Sequence, residues 1–206
     1  MTHGLRPEET TALLEYSGAL LSGHFRLSSG DHSDRYVQCA RATEDPRAAA
    51  RFGAGIAALF SDTSVAGPRR AIDAVAAPAL GGVVIGHEVA RALAVRFVFA
   101  EREGAGLAFR RGFALRPGER VLLVEDVLTT GGSVAELARL VAAAGAVAIG
   151  IGAIADRTGG AFSPGLPVRA LVSLAIARYA PDACPLCERG LPVIKPGSRP
   201  DRGSSG

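Results

Sequence analysis

Glu125 and Asp126 stand side by side, after four apolar residues, Val121 to Val124, and shortly before Thr129-Thr130-Gly131-Gly132-Ser133. The apolar run reads as a strand buried on both faces. From Val134 the pattern turns helical, with Val134, Leu137, Ala138 and Val141 on one face and Gly145 as a stop. Acids at the carboxyl end of a strand, followed by a glycine loop that opens a helix, make a divided site. Carboxylates accept hydrogen bonds from sugar hydroxyls or hold a hydrated Mg²⁺. Free backbone N–H groups from Thr129 to Ser133, together with the positive helix end, receive a phosphate. A ligand that is polyol at one end and phosphate at the other, such as ribose 5-phosphate, suits both halves. The run is not a Walker loop, since no lysine stands in it, nor does the turn contain G-x-G-x-x-G. The plainer alternative is a strand-to-helix turn whose acids are merely solvated.

The elements that must position these residues alternate along the chain. A helix is predicted over 8–22, then a turn-rich polar segment over 23–33. Asp45-Pro46 is an N-cap followed by proline at the first helical position, and Phe52, Ile56, Leu59 and Phe60 then form one buried stripe. Strands are predicted near 71–77, 95–100, 121–125, 147–155 and 168–175, with helices near 83–94 and 134–144. Such alternation implies α/β architecture with a mainly parallel sheet and right-handed crossovers, and ligands at the carboxyl ends of the strands. Residues 101–118 read as a long mobile loop or hairpin, and the tail after Pro196 as disordered. Three units are expected: an N-terminal helix and hood over 1–45, an α/β core over 46–180, and a C-terminal segment and tail over 181–206.

Composition narrows the function classes. The 206 residues are 48% hydrophobic but only 5% aromatic, with no tryptophan, so the core must be built from Ala, Val, Leu and Ile. A net charge of +3 suits anionic substrates, while the lack of a dense basic stripe or stacking aromatics argues against a nucleic-acid partner. Lys195 is the sole lysine among 23 basic residues, so cationic chemistry here falls to arginine. Apolar runs such as 147–155 are too short to span a bilayer, and acids at Glu8, Glu9 and Glu15 do not fit a signal peptide. Three cysteines, an odd number, argue against a disulfide framework, and the cytoplasm is the expected location.

The segment 121–133 resembles the signature of the type I phosphoribosyltransferases, in which two acids precede a Thr/Gly-rich phosphate loop. Further stretches, spread over nearly the whole chain, are similar to the orotate-using branch of that family. Gly23-His24-Phe25, Leu27-Ser28-Ser29-Gly30 and His32-Ser33 resemble its hood, and Pro78-Ala79-Leu80-Gly81-Gly82 its diphosphate loop. Arg110-Arg111-Gly112-Phe113 resembles the end of its lid, and Asp156-Arg157 its base-contacting pair. Cys184-Pro185-Leu186-Cys187 and Lys195-Pro196-Gly197-Ser198-Arg199 are similar to the C-terminus of a bacterial and archaeal group within it.

The resemblance implies a Mg²⁺-dependent transfer from 5-phosphoribosyl 1-diphosphate to orotate, giving orotidine 5′-phosphate and diphosphate in pyrimidine nucleotide synthesis. It implies a homodimer whose lid completes the neighbouring site, and Mg²⁺ held through the substrate diphosphate and water. Catalysis would fall to Glu125, Asp126 and Arg102. The phosphoribosyl diphosphate would meet Glu125 to Ser133 (including Val127, Leu128, Thr129, Thr130, Gly131 and Gly132), Leu80, Gly81, Arg102 and Arg110. Orotate would meet Thr129, Arg157, Ser28, Tyr36 and Val37. The sequence departs from the family in its lid, Glu101 to Leu107, which carries no lysine; Arg102, Arg110 and Arg111 are the cations at hand. Ser28 and Gly81 also stand where the family often has lysine. Two other readings stay open: a phosphoribosyltransferase for another base, and a sensor that binds phosphoribosyl diphosphate or a nucleotide without catalysis.

Cys184-x-x-Cys187 invites a zinc or redox reading, but zinc wants four ligands and no second pair lies nearby in sequence, so a tight turn is expected. His24 and His32 are read as touching substrate or as turn-stabilising, and His87, beside Glu88, as structural. Gly150 and Gly152, inside an apolar strand, are expected to mark close backbone packing.

Overall fold

The computed structural model describes residues 4–27, 29–61, 72–104 and 106–196. In chain order the elements are α1 (Pro7–Tyr16), β1 (Leu20–Arg26), β2 (His32–Val37), α2 (Cys39–Ala42), α3 (Pro46–Leu59), β3 (Ala74–Pro78) and α4 (Gly81–Leu93). They continue with β4 (Arg96–Glu103), β5 (Gly106–Phe109), β6 (Arg120–Leu128), α5 (Gly132–Ala143), β7 (Val147–Asp156), β8 (Val168–Ser173), a single 3₁₀ turn and α6 (Pro185–Glu188).

Six strands form one sheet in the order β5-β4-β3-β6-β7-β8, and only the β4–β5 pair is antiparallel. From β3 the chain moves outward to β4, then returns to lay β6 on the other side of β3. The carboxyl ends of β3 and β6 therefore flank the point where strand order reverses, which is where an open parallel sheet leaves a crevice. Side chains of β6 alternate between two cores. Leu122 and Val124 face Phe52, Ile56, Ile85 and Val89. Val121 and Leu123 face Val134, Leu137 and Val141. The sheet is thus covered on both faces, as the apolar run of β6 requires.

Asp45 caps α3 by accepting a 2.8 Å hydrogen bond from the Arg47 amide. A Cβ on Gly150 would lie 2.6 Å from Phe60, and one on Gly152 2.6 Å from Ile56, so the two glycines let α3 lie directly on β7. Gly53 does the same between α3 and α4, where a Cβ would meet the Glu88 backbone carbon at 2.7 Å. Gly53→Val is expected to cost at least about 2 kcal/mol by overpacking. That would lower the melting temperature by on the order of 5 °C, readable by scanning calorimetry.

Two boundaries differ from expectation. The first helix ends at Tyr16, because Gly18 adopts φ +66° and turns the chain into β1, so Ala19 and Leu20 are buried outside the helix. The polar segment 23–33 is largely an antiparallel hairpin, β1 with β2, with an irregularity between Ser22 and Phe25. Its polar residues hid the strand period from the sequence. Residues 101–118 begin as the β4–β5 hairpin, with Arg102 opposite Leu107. The tail from 197 and the expected strand start at 71 lie outside the described residues.

Candidate functional site

Glu125, buried, and Asp126, half-buried, lie toward the carboxyl end of β6, just beyond the stretch that pairs with β3. The Asp126 carboxylate is tethered by a 2.7 Å hydrogen bond from the Val127 amide, and Glu125 accepts from the Asp126 amide at 3.3 Å. From the other side comes the start of α4. A Cβ on Gly81 would sit 2.8 Å from Asp126 Oδ2, so the helix end approaches the carboxylate as closely as glycine permits. Any side chain at this position would meet the Asp126 carboxylate, which would have to shift to admit it. The preceding Ala79–Leu80 peptide is cis and the Leu80 side chain is exposed.

Beyond the acids the chain turns through Thr129 and Thr130 to Gly131, whose φ of +77° starts α5. A Cβ at Gly131 would fall 2.3 Å from the Phe162 ring, so both dihedral and space require glycine. A small pocket of about 40 Å³ is lined by Glu125, Val127, Leu128 and every residue from Thr129 to Val134. One crevice therefore joins a carboxylate to the amides of a helix N-terminus, which is what an anion with a polyol stem needs. Leu128 is core-buried, and its carbonyl accepts from the Arg157 amide at 2.8 Å; toward a ligand it offers backbone only.

Burial, then the neighbouring Asp126 charge, pushes the Glu125 carboxyl well above its ordinary range, and burial pushes Asp126 upward too. Near neutral pH the free pair holds a proton that an unfolded chain would have lost. Stability must then fall as pH rises above 4.5, the ordinary glutamate value, because the folded state binds more protons than the unfolded one. Glu125→Gln is expected to flatten this part of the curve and to melt above the unchanged protein at alkaline pH. Melting temperatures from about pH 5 to about pH 8 for both proteins test this.

Arg157 follows β7 directly, next to the acids' strand. Its Nε is buried without a hydrogen-bond partner among the described residues. Burial, then the Arg178 charge, lowers its proton affinity, whereas Tyr36 and Cys39 act in the opposite sense. An orphaned donor in a guanidinium whose charge is disfavoured by burial and by a second arginine is poised for a planar anion. Arg178 and Asp34, whose Oδ1 is likewise buried and unpartnered, belong to no motif and were missed by sequence reasoning. Tyr36, on β2, is near enough to Arg157 to favour its charge. Val37 is buried in the core, so only its backbone can face a ligand. Ser28 lies outside the described residues.

The lid cations are engaged elsewhere. Arg102 pairs with Glu136 on α5 at 2.6 Å, Arg111 grips Glu101 through two bonds of 2.8 and 2.9 Å, and Arg110 lies 3.7 Å from Glu103. Their side chains are more than half exposed, so each pair is weak and can be exchanged for a stronger anion.

The C-terminal cysteines are not merely a turn. Cys184 and Cys187 meet His24 and His32 at the hairpin, four residues that neither sequence distance nor motif connects.

Residues 47–173 match the model of the phosphoribosyl transferase domain. The chain is 45% identical over 192 residues to the orotate phosphoribosyltransferase of Desulforamulus reducens, covering 93% of this chain and 97% of that one. It is 47% identical over 187 residues to the orotate phosphoribosyltransferase of Thermotoga maritima, covering 91% and 96%. The structure of Mycobacterium tuberculosis orotate phosphoribosyltransferase in complex with inorganic phosphate aligns with a TM-score of 0.63 at 27% identity, covering 81% of this chain and 96% of that one.

Proposed function

The chain belongs to the orotate phosphoribosyltransferases of the phosphoribosyl transferase family, and from that premise we propose how its residues divide the work of the reaction. The enzyme transfers the phosphoribosyl group to orotate, a step of pyrimidine nucleotide synthesis. The loop Thr129–Ser133 receives the 5′-phosphate through its amides, and Glu125 and Asp126 hold the ribose hydroxyls. As the C1–O bond breaks, positive charge grows on the ribose ring and the two acids face it. The observation that carries this reading is the pocket shared by Glu125 and the amides of the loop. No covalent nucleophile is needed, because the ring nitrogen of orotate is already acidic.

Two adjacent acids that share a negative charge offer oxygens to an outer shell for hydrated Mg²⁺, the hard cation that this family implies, and its charge would favour their ionised form. When bound it supplies charge neutralisation to the departing diphosphate. Leu80 and Gly81 provide backbone to that group, and Arg102 with Arg110 provides cationic charge. The hairpin β4–β5 reaches a neighbouring copy in a homodimer. Arg157, with Thr129, Tyr36 and the backbone of Val37, holds orotate. Residues 46–180 form the catalytic core and 1–45 the hood. No helix among the described residues is long and apolar enough to cross a membrane, and the cytoplasm is the working location.

The deciding experiment offers the protein Mg²⁺ and phosphoribosyl diphosphate with orotate, adenine, guanine or uracil in turn. Turnover is expected with orotate alone. Turnover of a purine would reassign the base site, and tight phosphoribosyl diphosphate binding without any product would make the protein a sensor. Replacing Arg102, Arg110 and Arg111 singly by Ala is expected to slow turnover in at least one case. Three unaltered rates would remove arginine from the lid's role.

A further inference from the structure

His24, His32, Cys184 and Cys187 each contribute one donor atom to a cluster in which all four atoms lie within 4.8 Å of one another. His24 Nε2 is 2.9 Å from His32 Nδ1, 3.5 Å from Cys184 Sγ and 3.7 Å from Cys187 Sγ. Cys187 Sγ is 3.2 Å from His32 Nδ1. Around a tetrahedral zinc ion, ordinary bond lengths put nitrogen and sulfur ligands about 3.6 Å apart and two nitrogens about 3.3 Å apart. The two His24–cysteine separations match the first value, and the Cys187–His32 and His–His separations are each about 0.4 Å shorter than a bound ion would set.

The supporting geometry points the same way. The Nδ1–H of His24 donates to the Leu191 carbonyl at 2.8 Å, which leaves the Nε2 lone pair aimed into the cluster. A backbone carbonyl on the far nitrogen is a common way to orient a metal-binding imidazole. Both histidines and Cys184 are buried. C-x-x-C is the spacing with which one turn supplies two thiolates to zinc. Here the Glu188 amide donates to the Cys184 carbonyl at 3.2 Å, and the Gly190 amide to the Cys187 carbonyl at 2.9 Å, with Gly190 at φ +68°.

We propose that these four side chains bind one zinc-class divalent cation, which fastens the C-terminal segment to the hood. The backbone is already arranged for such a clasp. Tyr179 pairs with His32 on one edge of the hairpin, while Ile194 bonds to His24 and Arg26 on the other. The segment between them thus crosses the hairpin and delivers both cysteines to the two histidines. The hood is a two-stranded sheet, an element that needs a neighbour to be stable. A cation tying both of its strands to a third segment supplies that neighbour. The role is structural, since four protein ligands leave no open position for substrate.

The test uses the full chain, purified under reducing conditions and without added chelator. Elemental analysis is expected to find close to one zinc per chain. Exchange for Co²⁺ is expected to give the intense visible bands of a tetrahedral site with a thiolate charge-transfer band. Removing the metal should lower the melting temperature, and Zn²⁺ should restore it. Cys184→Ser and His32→Asn should each abolish stoichiometric retention; if either fails to fold, the cobalt spectrum of the unchanged protein still decides. Reduced protein that retains neither metal after separate incubation with Zn²⁺ and Co²⁺ and gel filtration would overturn the site. A disulfide between Cys184 and Cys187 in the freshly prepared protein, or a weak octahedral cobalt spectrum, would overturn it equally.

Discussion

The double change Glu125→Gln, Asp126→Asn is expected to lower kcat/KM by on the order of 10³-fold or more while leaving the fold intact. Both replacements keep size and shape and abolish ionisation; since the free pair holds one proton, what they remove together is the single negative charge the two acids share. The carboxylates lie in a crevice that burial has made poor in water; this is visible in how far Glu125 is driven from its ordinary proton affinity. In such a place a charge facing the developing cation acts far more strongly than it would in solvent. Because the two acids act as a unit, each single change should cost nearly as much as the pair. Steady-state kinetics with both substrates varied, alongside orotate binding by calorimetry, measure this. A double variant within tenfold of the unchanged rate would remove the acids from the chemistry.

Arg157→Ala carries the second large effect, expected on orotate and not on phosphoribosyl diphosphate. Its Nε is buried without a partner, and Arg178 lies near enough to depress its proton affinity. Two cations held together are relieved by an anion, and orotate brings a carboxylate on a planar ring. Losing one side of a buried charged hydrogen-bonded pair costs a few kcal/mol, so the KM for orotate should rise by on the order of 10²-fold. Arg157→Lys should recover only part of this, since an ammonium cannot present the same fork. Comparable rises in both KM values would place Arg157 outside the base site.

Much of this site could be read from the chain because its parts are contiguous. β6, the two acids, the loop and α5 follow one another within 121–143, and each announces itself by a local pattern of apolar run, acid pair, glycine and helical stripe. The same holds for the Asp45 cap and for Gly150 and Gly152. What escaped were features created only by folding. Arg178 gains meaning only from its charge acting on Arg157, 21 residues earlier in the chain. The hood strands were hidden because His24 and Ser33 look like loop residues until the hairpin and the C-terminal segment bury them. Cys184 and Cys187 lacked partners in sequence, since His24 and His32 lie more than 150 residues away and meet them only through backbone pairing at Tyr179 and Ile194. The lack of a lysine at Gly81 was legible, but the closeness of that position to the Asp126 carboxylate was not.

The most direct measurement is a crystal structure of the protein with orotidine 5′-phosphate bound. The phosphate is expected against the amides of 129–133, the ribose hydroxyls against Glu125 and Asp126, and the orotate carboxylate against Arg157. A nucleotide seated elsewhere, such as the cavity lined by Arg6, Glu9 and Arg51, or reversed so that its base meets the loop, would contradict the assignment.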